Sequence, residues 1–334
     1  MNLSELTTIR VGGPAGTLVT ASTRDELADA ALAAWGSGDE WLVLGGGSNV
    51  VIADEGFDGA VIHVATRGIE RLEGDGVLLR VEAGEPWDGL VEYAVSQGWA
   101  GIEALSGIPG TAGAAPIQNI GAYGQELSDV LVAIDFLDEV TGDRERILAA
   151  DLGLGYRTSA IKAGRRGVVL GIELRLEEAA ESPIKYSQLA SALGVEPAPI
   201  VEIRDGVLGL RRAKGMVLDP ADPDSVSCGS FFTNPIVGEN FARSLPTETP
   251  QWLVDDTAVK LSAAWLIEQA GVTKGFRLPG SRVAISSKHT LAITNRGGGT
   301  AEEVGELARY IQAMVLARFG VSLQPEPVAV GIQL

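Results

Sequence analysis

A long glycine-rich loop at residues 106–126, SGIPGTAGAAPIQNIGAYGQE, restricts the fold more than any other segment. It contains five glycines and two prolines, and Glu126 is its only charged residue. Because such a loop is costly to leave flexible, we expect it to wrap around a large and mostly apolar ligand. Small residues at positions 112–115 would let its backbone approach a flat molecule. An Ω-loop that packs on itself is the alternative.

A second glycine-rich segment, LGGGSNVV at residues 44–51, follows a predicted strand. Its glycines and its Ser-Asn pair could direct several backbone N–H groups at a phosphate. It is not a Walker loop, because no Gly-Lys-Ser/Thr follows. Nor is it a dinucleotide-binding fingerprint, because Val50 stands where the third glycine belongs. The segment therefore predicts either an anion site or a plain tight turn.

Length and charge limit the domain count and the class of partner. A chain of 334 residues exceeds the size at which one core usually stops growing, so we expect two or three domains. The net charge of -18, from 26 basic and 44 acidic residues, disfavours nucleic acid and anionic membrane surfaces as partners. An anionic substrate would need a local cluster of cations.

The single cysteine and two histidines exclude an internal disulfide and an ordinary His/Cys metal centre, so no metal site is predicted. The first residues, MNLSELTTIRVGG, lack the pattern of a signal peptide, and no apolar run approaches a membrane span. We expect a cytoplasmic protein without membrane insertion.

The hydrophobic pattern predicts a mixture of strands and helices. Capping boxes at residues 23–26 and 300–303 mark two helix starts, and the second helix carries an apolar stripe from Val304 to Val315. Prolines on both sides of Glu326 predict an extended segment. Further helices are predicted at residues 87–97 and 201–214, and strands at residues 17–21, 41–44, 60–64, 77–84, 131–137, 168–176, 283–286 and 291–294.

Candidate chemical groups are ambiguous when each is considered alone. SCGSFFTNP places Cys228 two residues before Ser230, but the chain has no Gly-x-Ser-x-Gly elbow, and neither histidine favours either residue as a nucleophile. A surface salt bridge is the default interpretation of Arg157 in GYRTS. The cations Arg211, Arg212 and Lys214 would stabilise a helix C-terminus without any ligand.

Taken in order, five motifs are informative together: LGGGSNV, IPGTAGAAPIQNIGAYGQE, GYRTS, GSFFTNP and QPEP. This series closely resembles the UDP-N-acetylenolpyruvoylglucosamine reductases, flavoenzymes of peptidoglycan precursor synthesis. The resemblance extends from TTIRVGGPA near the first residue to the last ten residues. Chance agreement at both PIQNIGAYG and GSFF-x-NP, in order, is improbable.

The resemblance implies an α+β protein with a two-subdomain FAD-binding fold of the vanillyl-alcohol-oxidase (PCMH) type and a further α+β substrate-binding domain. We place the first FAD subdomain at residues 1–65 and the second at 66–205, together with the tail at 324–334. The substrate domain is placed at residues 206–323. Tyr186 in IKYSQL resembles the loop tyrosine of the family's first structural type.

The same resemblance implies an NADPH-dependent reductase with non-covalent FAD, acting on UDP-N-acetylglucosamine enolpyruvate. Hydride would pass from the flavin to the terminal enolpyruvyl carbon, and Ser230 would protonate the adjacent carbon. Arg157 and Glu326 complete the implied catalytic set, and Tyr186, Lys214 and Asn234 are the implied substrate contacts. The implied cofactor contacts are Gly45, Gly46, Gly47, Ser48, Asn49, Val50, Pro109, Gly110, Ala114, Ala115, Ile117, Asn119, Gly121 and Ala122.

These residue types suit the implied reaction. Arg157 can bind the substrate carboxylate bidentately and hold it more strongly as negative charge develops. A serine hydroxyl is a weak acid, but a carbanion-like carbon is basic enough to take its proton if Ser230 is held in line. Glu326, beside a carboxylate, is expected to be protonated and to donate a hydrogen bond to the enolate oxygen.

Two other functions remain open at this point. One is a different flavin-dependent oxidoreductase of the same fold, although GGGSNV has no neighbouring histidine or cysteine to tether a flavin. The other is a non-catalytic flavin-binding protein, which need not keep Arg157, Ser230 and Glu326 together. The chain also departs from relatives that carry hydroxyl residues where it has Ala114 and Ala115. No role is expected for Cys228.

Overall fold

The computed structural model describes residues 1–334, which form two compact units. Unit 1 combines the segments Met1–Pro14, Ser48–Phe57 and Lys214–Leu334, whereas unit 2 combines Ala15–Gly47 and Asp58–Ala213. Unit 1 is therefore built from segments that lie far apart in the sequence, whereas the two segments of unit 2 are separated only by residues 48–57.

The predicted three-domain division is finer than these two units and stays a prediction. Several of its segments group differently in the structure. Residues 324–334, which were expected with the second FAD subdomain, group with unit 1. So do residues 1–14 and 48–57, which were expected in the first subdomain.

The largest sheet of unit 2 has six strands. The antiparallel pairing of Leu131–Asp138 with Gly167–Glu178, and of the latter with Val77–Glu82, forms its centre. Val77, Leu79 and Val81 alternate with more exposed neighbours, so one face of the strand packs into a core that includes Trp87 of the next helix. The remaining strands are Arg144–Leu148 at one edge, Ile69–Leu72 at the other and the short Trp99–Ala100.

Unit 2 also contains a smaller, three-stranded sheet together with the first predicted helix. The helix Arg24–Ser37 begins at a capping box formed by Thr23 and Glu26 and ends at Gly38, where φ is +77°. The predicted start is confirmed. The sheet has the order Ala15–Ala21, Phe57–Val64 and Trp41–Leu44, with the last two strands parallel.

Unit 2 also contains the helices and short elements that surround the long loop. The α-helices are Trp87–Ser96, Ser187–Leu193 and Ile200–Ala213, and the 3₁₀ segments are Glu103–Leu105, Ala112–Gln118, Leu127–Asp129 and Ala149–Asp151. Two short antiparallel pairs join Gly121–Ala122 to Gln125–Glu126 and Glu181–Ser182 to Ala198–Pro199.

Unit 1 is organised around the helix Ala301–Phe319. Its predicted apolar stripe is confirmed, because Val304, Leu307 and Ile311 are fully buried in the core. The other elements are the helices Glu239–Ala242 and Ala263–Gln269, the 3₁₀ segments Leu3–Glu5 and Pro223–Ser225, and the strands Ile236–Gly238, Gln251–Leu253, Ala258–Leu261, Val283–Ile285, Ile293–Asn295, Val50–Ile52 and Val328–Val330.

Candidate active site

The Gly45–Gly47 turn packs directly against the long loop within unit 2. A Cβ atom on Gly45 would lie 2.4 Å from Thr111 Oγ1, and one on Gly46 would lie 2.8 Å from Gly110 Cα. Cβ atoms do not approach other atoms this closely, so only glycine lets these two backbones meet. The structure therefore brings Gly45, Gly46 and Gly110, three predicted cofactor contacts, to one place.

Some residues of the 106–126 loop are fully buried, whereas others are only half-buried. Ala115 and Asn119, two predicted cofactor contacts, are only 2% and 1% exposed. Their side chains therefore pack in the interior of unit 2. The predicted contacts that are half-buried, and so keep accessible surface, are Pro109, Gly110, Ala114, Ile117, Gly121 and Ala122.

Asn119 closes the loop by hydrogen bonding. Its Nδ2 donates to Glu126 Oε2 at 3.1 Å and to the Gly155 carbonyl at 3.2 Å, while its Oδ1 accepts from the Ser128 amide at 2.9 Å. Its φ of 45° lies in the left-handed region, which asparagine tolerates better than most residues. These bonds link the loop to the segment that precedes Arg157.

Arg157 lies against the same loop. Its Nη1 donates to the Asn119 carbonyl at 3.2 Å and its Nη2 to the Gly121 carbonyl at 2.5 Å. Its guanidinium also lies 5.5 Å from the centroid of the Tyr156 ring. The side chain is half-buried and the residue has a φ of 55°. Loop carbonyls therefore help to orient this arginine.

Ser230 and Glu326 come from two segments that pair with each other in unit 1. The Glu326 amide donates to the Phe231 carbonyl at 2.8 Å, and the Thr233 amide donates to the Gln324 carbonyl at 3.1 Å. An antiparallel bridge joins Phe232 to Pro325 between them. Ser230 and Glu326 are both half-buried, whereas Phe231 and Phe232 are fully buried. The pairing thus holds two predicted catalytic residues on neighbouring segments.

The tail containing Glu326 also pairs with the end of the first glycine-rich segment. Asn49 Nδ2 donates to the Glu326 carbonyl at 3.2 Å, and the Val328 amide donates to the Asn49 carbonyl at 3.0 Å. The strand Val328–Val330 then runs parallel to Val50–Ile52. Ser48, Asn49 and Val50 therefore belong to unit 1, while Gly45–Gly47 belongs to unit 2.

Cys228 has the environment of a structural thiol. It is 6% exposed, and its Sγ donates to the Val50 carbonyl at 3.5 Å. Burial raises its pKa to about 12, with the hydrogen bond to Val50 acting weakly in the opposite direction. Because the thiolate is the reactive form, this cysteine is poorly suited to act as a nucleophile.

The three predicted substrate residues have separate environments. Tyr186 in unit 2 is 38% exposed, and its ring makes an edge contact with Tyr123 at a centroid distance of 5.3 Å. Asn234 in unit 1 accepts a hydrogen bond through Oδ1 from the Ala263 amide at 3.0 Å. Lys214 directly follows the helix Ile200–Ala213 and is half-buried.

Comparison with known proteins identifies the family. The family described as "UDP-N-acetylenolpyruvoylglucosamine reductase, C-terminal domain" matches residues 220–330, and "FAD binding domain" matches residues 15–147. A UDP-N-acetylenolpyruvoylglucosamine reductase from Leifsonia xyli subsp. xyli is 53% identical over 99% of this chain and 98% of its own length. The chain belongs to the UDP-N-acetylenolpyruvoylglucosamine reductase family. Its predicted membership is confirmed, as is its class, an FAD-containing oxidoreductase.

Further members of the family support the same placement. The reductase from Saccharopolyspora erythraea is 50% identical over 99% of this chain and 95% of its own length. The crystal structure of UDP-N-acetylenolpyruvylglucosamine reductase from Thermus caldophilus matches with a TM-score of 0.69 and 28% identity, covering 99% of this chain and 97% of that one. These matches confirm an α+β FAD-binding fold followed by the reductase C-terminal domain.

The residues of unit 2 fit the FAD that this family requires. The close contact between the Gly45–Gly47 turn and Gly110 leaves backbone, rather than side chains, along this part of the surface. The adjoining half-buried residues of the loop are uncharged, which suits a large planar ring system.

No helix in the structure is both long and apolar enough to cross a membrane.

Sequence reasoning missed the buried position of Arg211 beside the 106–126 loop. Arg211 was interpreted as a cation at a helix end, but it is 6% exposed and lies near Gly107. Burial lowers its pKa, while Tyr123 and Asp88 act in the opposite direction. The seven-residue spacing of Arg204 and Arg211 on one helix was the available signal, because such residues share a face.

Proposed function

We propose that this chain reduces UDP-N-acetylglucosamine enolpyruvate to UDP-N-acetylmuramate, with NADPH as the reductant, in cytoplasmic peptidoglycan precursor synthesis. Membership of the reductase family supports the reaction class. The observation that carries the proposal is the pairing of residues 231–233 with residues 324–326, which holds Ser230 and Glu326 on neighbouring segments.

FAD, when bound, supplies the hydride chemistry. The proposed role of Ser230 is to donate its hydroxyl proton to the carbon next to the one that receives hydride. Two buried phenylalanines follow Ser230, and the Phe231 amide donates to the Leu291 carbonyl at 2.7 Å, so the backbone directly after the residue that carries the hydroxyl is fixed. A fixed donor is what a weak acid needs for efficient proton transfer.

Arg157 and Glu326 have proposed roles in stabilising the negative charge that develops on the substrate. The Asn119 and Gly121 carbonyls accept hydrogen bonds from the Arg157 guanidinium and orient it. An oriented guanidinium is a strong partner for the substrate carboxylate. Glu326 is proposed to be protonated and to donate to the enolate oxygen. Backbone bonds to Phe231 and from Asn49 fix the position of its main chain.

The remaining proposed roles concern cofactor and substrate binding. FAD would be held by the predicted contacts in residues 45–50 and 109–122, which are glycines or small, polar and aliphatic residues. Lys214 and Asn234 are proposed to bind the diphosphate and uridine parts of the substrate, and Tyr186 to cover it. Because the net charge is -18, a local cation such as Lys214 is needed to attract an anionic diphosphate.

The proposal is tested by purifying the protein, releasing its chromophore by denaturation and following NADPH oxidation with and without UDP-N-acetylglucosamine enolpyruvate. We expect FAD in the released fraction and oxidation that depends on the enolpyruvyl compound. A colourless protein that does not take up FAD would contradict the proposal. Turnover with other acceptors alone would indicate a different flavin-dependent oxidoreductase, and FAD without turnover would indicate a binding protein.

A further inference from the structure

A buried arginine ties a helix of unit 2 to the entrance of the glycine-rich loop. Arg204, on the helix Ile200–Ala213, is only 8% exposed. Its Nη1 donates to Asp88 Oδ1 at 2.6 Å and to Ser106 Oγ at 3.0 Å, and its Nη2 donates to Asp88 Oδ2 at 3.2 Å. Such a bidentate pair has a fixed geometry, so it can define the position of the groups that it joins.

Asp88 passes this constraint to the loop backbone. The Gly107 amide donates to Asp88 Oδ1 at 2.6 Å, so one carboxylate contacts both Arg204 and the second residue of the loop. Gly107 has a φ of +71°, and a Cβ atom on it would lie 2.9 Å from Leu208 Cδ2 on the same helix. The loop entrance is thus held by polar contacts on one side and close packing on the other.

A second chain of hydrogen bonds connects the entrance of the loop to its end. Ser106 Oγ donates to the Glu103 carbonyl at 2.6 Å. The Glu103 side chain is fully buried, and its carboxylate accepts from Gln125 Nε2 at 2.8 Å. Gln125 Oε1 in turn accepts from the Ala104 amide at 2.8 Å. Both ends of the 106–126 loop are therefore fixed to one buried polar network.

We propose that Asp88 and Arg204 are positioning residues for FAD binding, which act by fixing the entrance of the loop that presents Pro109 and Gly110 to the cofactor. This inference rests on the proposed cofactor contacts. Because Gly110 also packs against Gly46, a displaced loop entrance would disturb the Gly45–Gly47 turn as well. Small displacements of binding groups lower affinity steeply.

The electrostatics agree with this geometry. Burial acts to raise the pKa of Asp88, but hydrogen bonds from Arg204 and from the Gly107 amide outweigh it and hold the pKa below its ordinary value. Asp88 is therefore ionised at neutral pH, which is the form that can accept from both donors.

The test compares FAD dissociation from full-length holoprotein carrying Arg204→Met or Asp88→Asn. The control is Arg212→Met, which removes an exposed arginine from the same helix. Fluorescence of FAD released on dilution gives the Kd, and thermal unfolding of the flavin-free protein reports on folding. We expect both network variants to raise the FAD Kd by about tenfold or more, and the control to leave it unchanged.

The double variant Asp88→Asn/Arg204→Met should weaken FAD binding no more than the stronger single variant, because both residues act through one contact. An unchanged FAD Kd in a folded network variant would overturn the inference, even if the flavin-free protein melts at a lower temperature. If Arg204→Met does not fold, the milder Asp88→Asn decides between these outcomes. Because FAD binding is measured without the enolpyruvyl substrate, this result is independent of whether the proposed reaction is correct.

Discussion

Ser230 and Cys228 lie two residues apart in one segment, but the protein places them in different environments. Cys228 is buried with a raised pKa, and its sulfur is engaged with the Val50 carbonyl. Ser230 is half-buried, beside the segment that contains Glu326. A thiol that is protonated and inaccessible cannot readily act as a nucleophile, whereas an accessible and fixed hydroxyl can donate a proton.

Replacing Ser230 with alanine tests this difference. We expect Ser230→Ala to leave flavin reduction by NADPH nearly unchanged and to slow flavin reoxidation by the enolpyruvyl substrate by about 10²–10⁴-fold, because only the second step needs the proton. Stopped-flow absorbance of the flavin separates the two steps. Cys228→Ala is the matched control and should change neither rate appreciably. Slow reoxidation in Cys228→Ala, with normal rates in Ser230→Ala, would indicate that the thiol of Cys228, and not the hydroxyl of Ser230, takes part in the reaction.

Asp224 makes part of the protein's stability dependent on pH. It is 3% exposed and accepts from Ser287 Oγ at 2.6 Å and from Arg296 Nη2 at 2.8 Å. Burial acts to raise its pKa, but the Ser287 hydrogen bonds, together with the charge of Arg296, hold the pKa below its ordinary value. A lowered pKa means that this stabilisation is fully present above about pH 4 and is lost as the pH falls through the folded-state pKa.

We therefore expect Asp224→Asn to lower the free energy of unfolding by about 1–3 kcal/mol at neutral pH, because Arg296 loses a buried anionic partner. The difference from the natural protein should shrink as the pH falls below about 4. Urea unfolding across this pH range measures this difference in the free energy of unfolding. Asp256 is exposed, so Asp256→Asn is the control. A difference that stays constant with pH would show that the Asp224 charge is not involved.

At the level of the element, the helix Ala301–Phe319 begins with more than its own capping box. Thr300 and Glu303 form that box, as the sequence predicts. In addition, Asp54 accepts from the Ala301 amide at 2.8 Å and from the Glu302 amide at 3.1 Å. A carboxylate on the first free amides of a helix satisfies unpaired donors and interacts favourably with the helix dipole.

Asp54→Ala should consequently lower the free energy of unfolding by about 1–2 kcal/mol, the usual effect of losing a helix cap. Chemical denaturation followed by circular dichroism measures this loss. Exposed Asp256→Ala removes a carboxylate from the same unit without touching a helix end and should cost much less. Equal losses in the two variants would mean that net charge, and not the helix end, accounts for the effect.

The same helix shows what sequence can and cannot predict. Its capping box and apolar stripe are local patterns, so the start of the helix and its buried face follow from residues a few positions apart. The contribution of Asp54 lies about 250 positions away in the chain, where no local pattern could reveal it. The strand Arg144–Leu148 was also missed, because its sequence RERIL has few apolar residues and lies at the edge of its sheet.

At the level of the whole molecule, unit 1 depends on strand pairing between distant segments. The Gly13 amide donates to the Ala53 carbonyl, and the Ala53 amide donates to the Val330 carbonyl, each at 2.9 Å. Three separate segments of the chain are joined by these two bonds. The motifs LGGGSNV, GSFFTNP and QPEP allowed the candidate residues to be predicted, but the pairing that assembles Asn49, Ser230 and Glu326 is long-range and absent from local sequence.

The tail therefore has a structural role that can be separated from its chemical one. Deleting residues 325–334 removes the Glu326 amide bond to Phe231 and the strand Val328–Val330, and it exposes the buried residues Val51 and Ile52. We expect this deletion to lower the free energy of unfolding by several kcal/mol, on the order of the burial of two or three large aliphatic side chains.

Glu326→Gln retains every backbone contact, so its free energy of unfolding should lie within about 1 kcal/mol of that of the natural protein. That variant should still slow flavin reoxidation by substrate, because an amide cannot replace, as an O–H donor, the protonated carboxyl proposed for Glu326. Urea unfolding and single-turnover reoxidation measure the two effects. If the deletion leaves the free energy of unfolding unchanged, the parallel pairing does not hold unit 1 together. If the flavin of the Glu326→Gln variant is reoxidised at the natural rate, the tail has only a structural role.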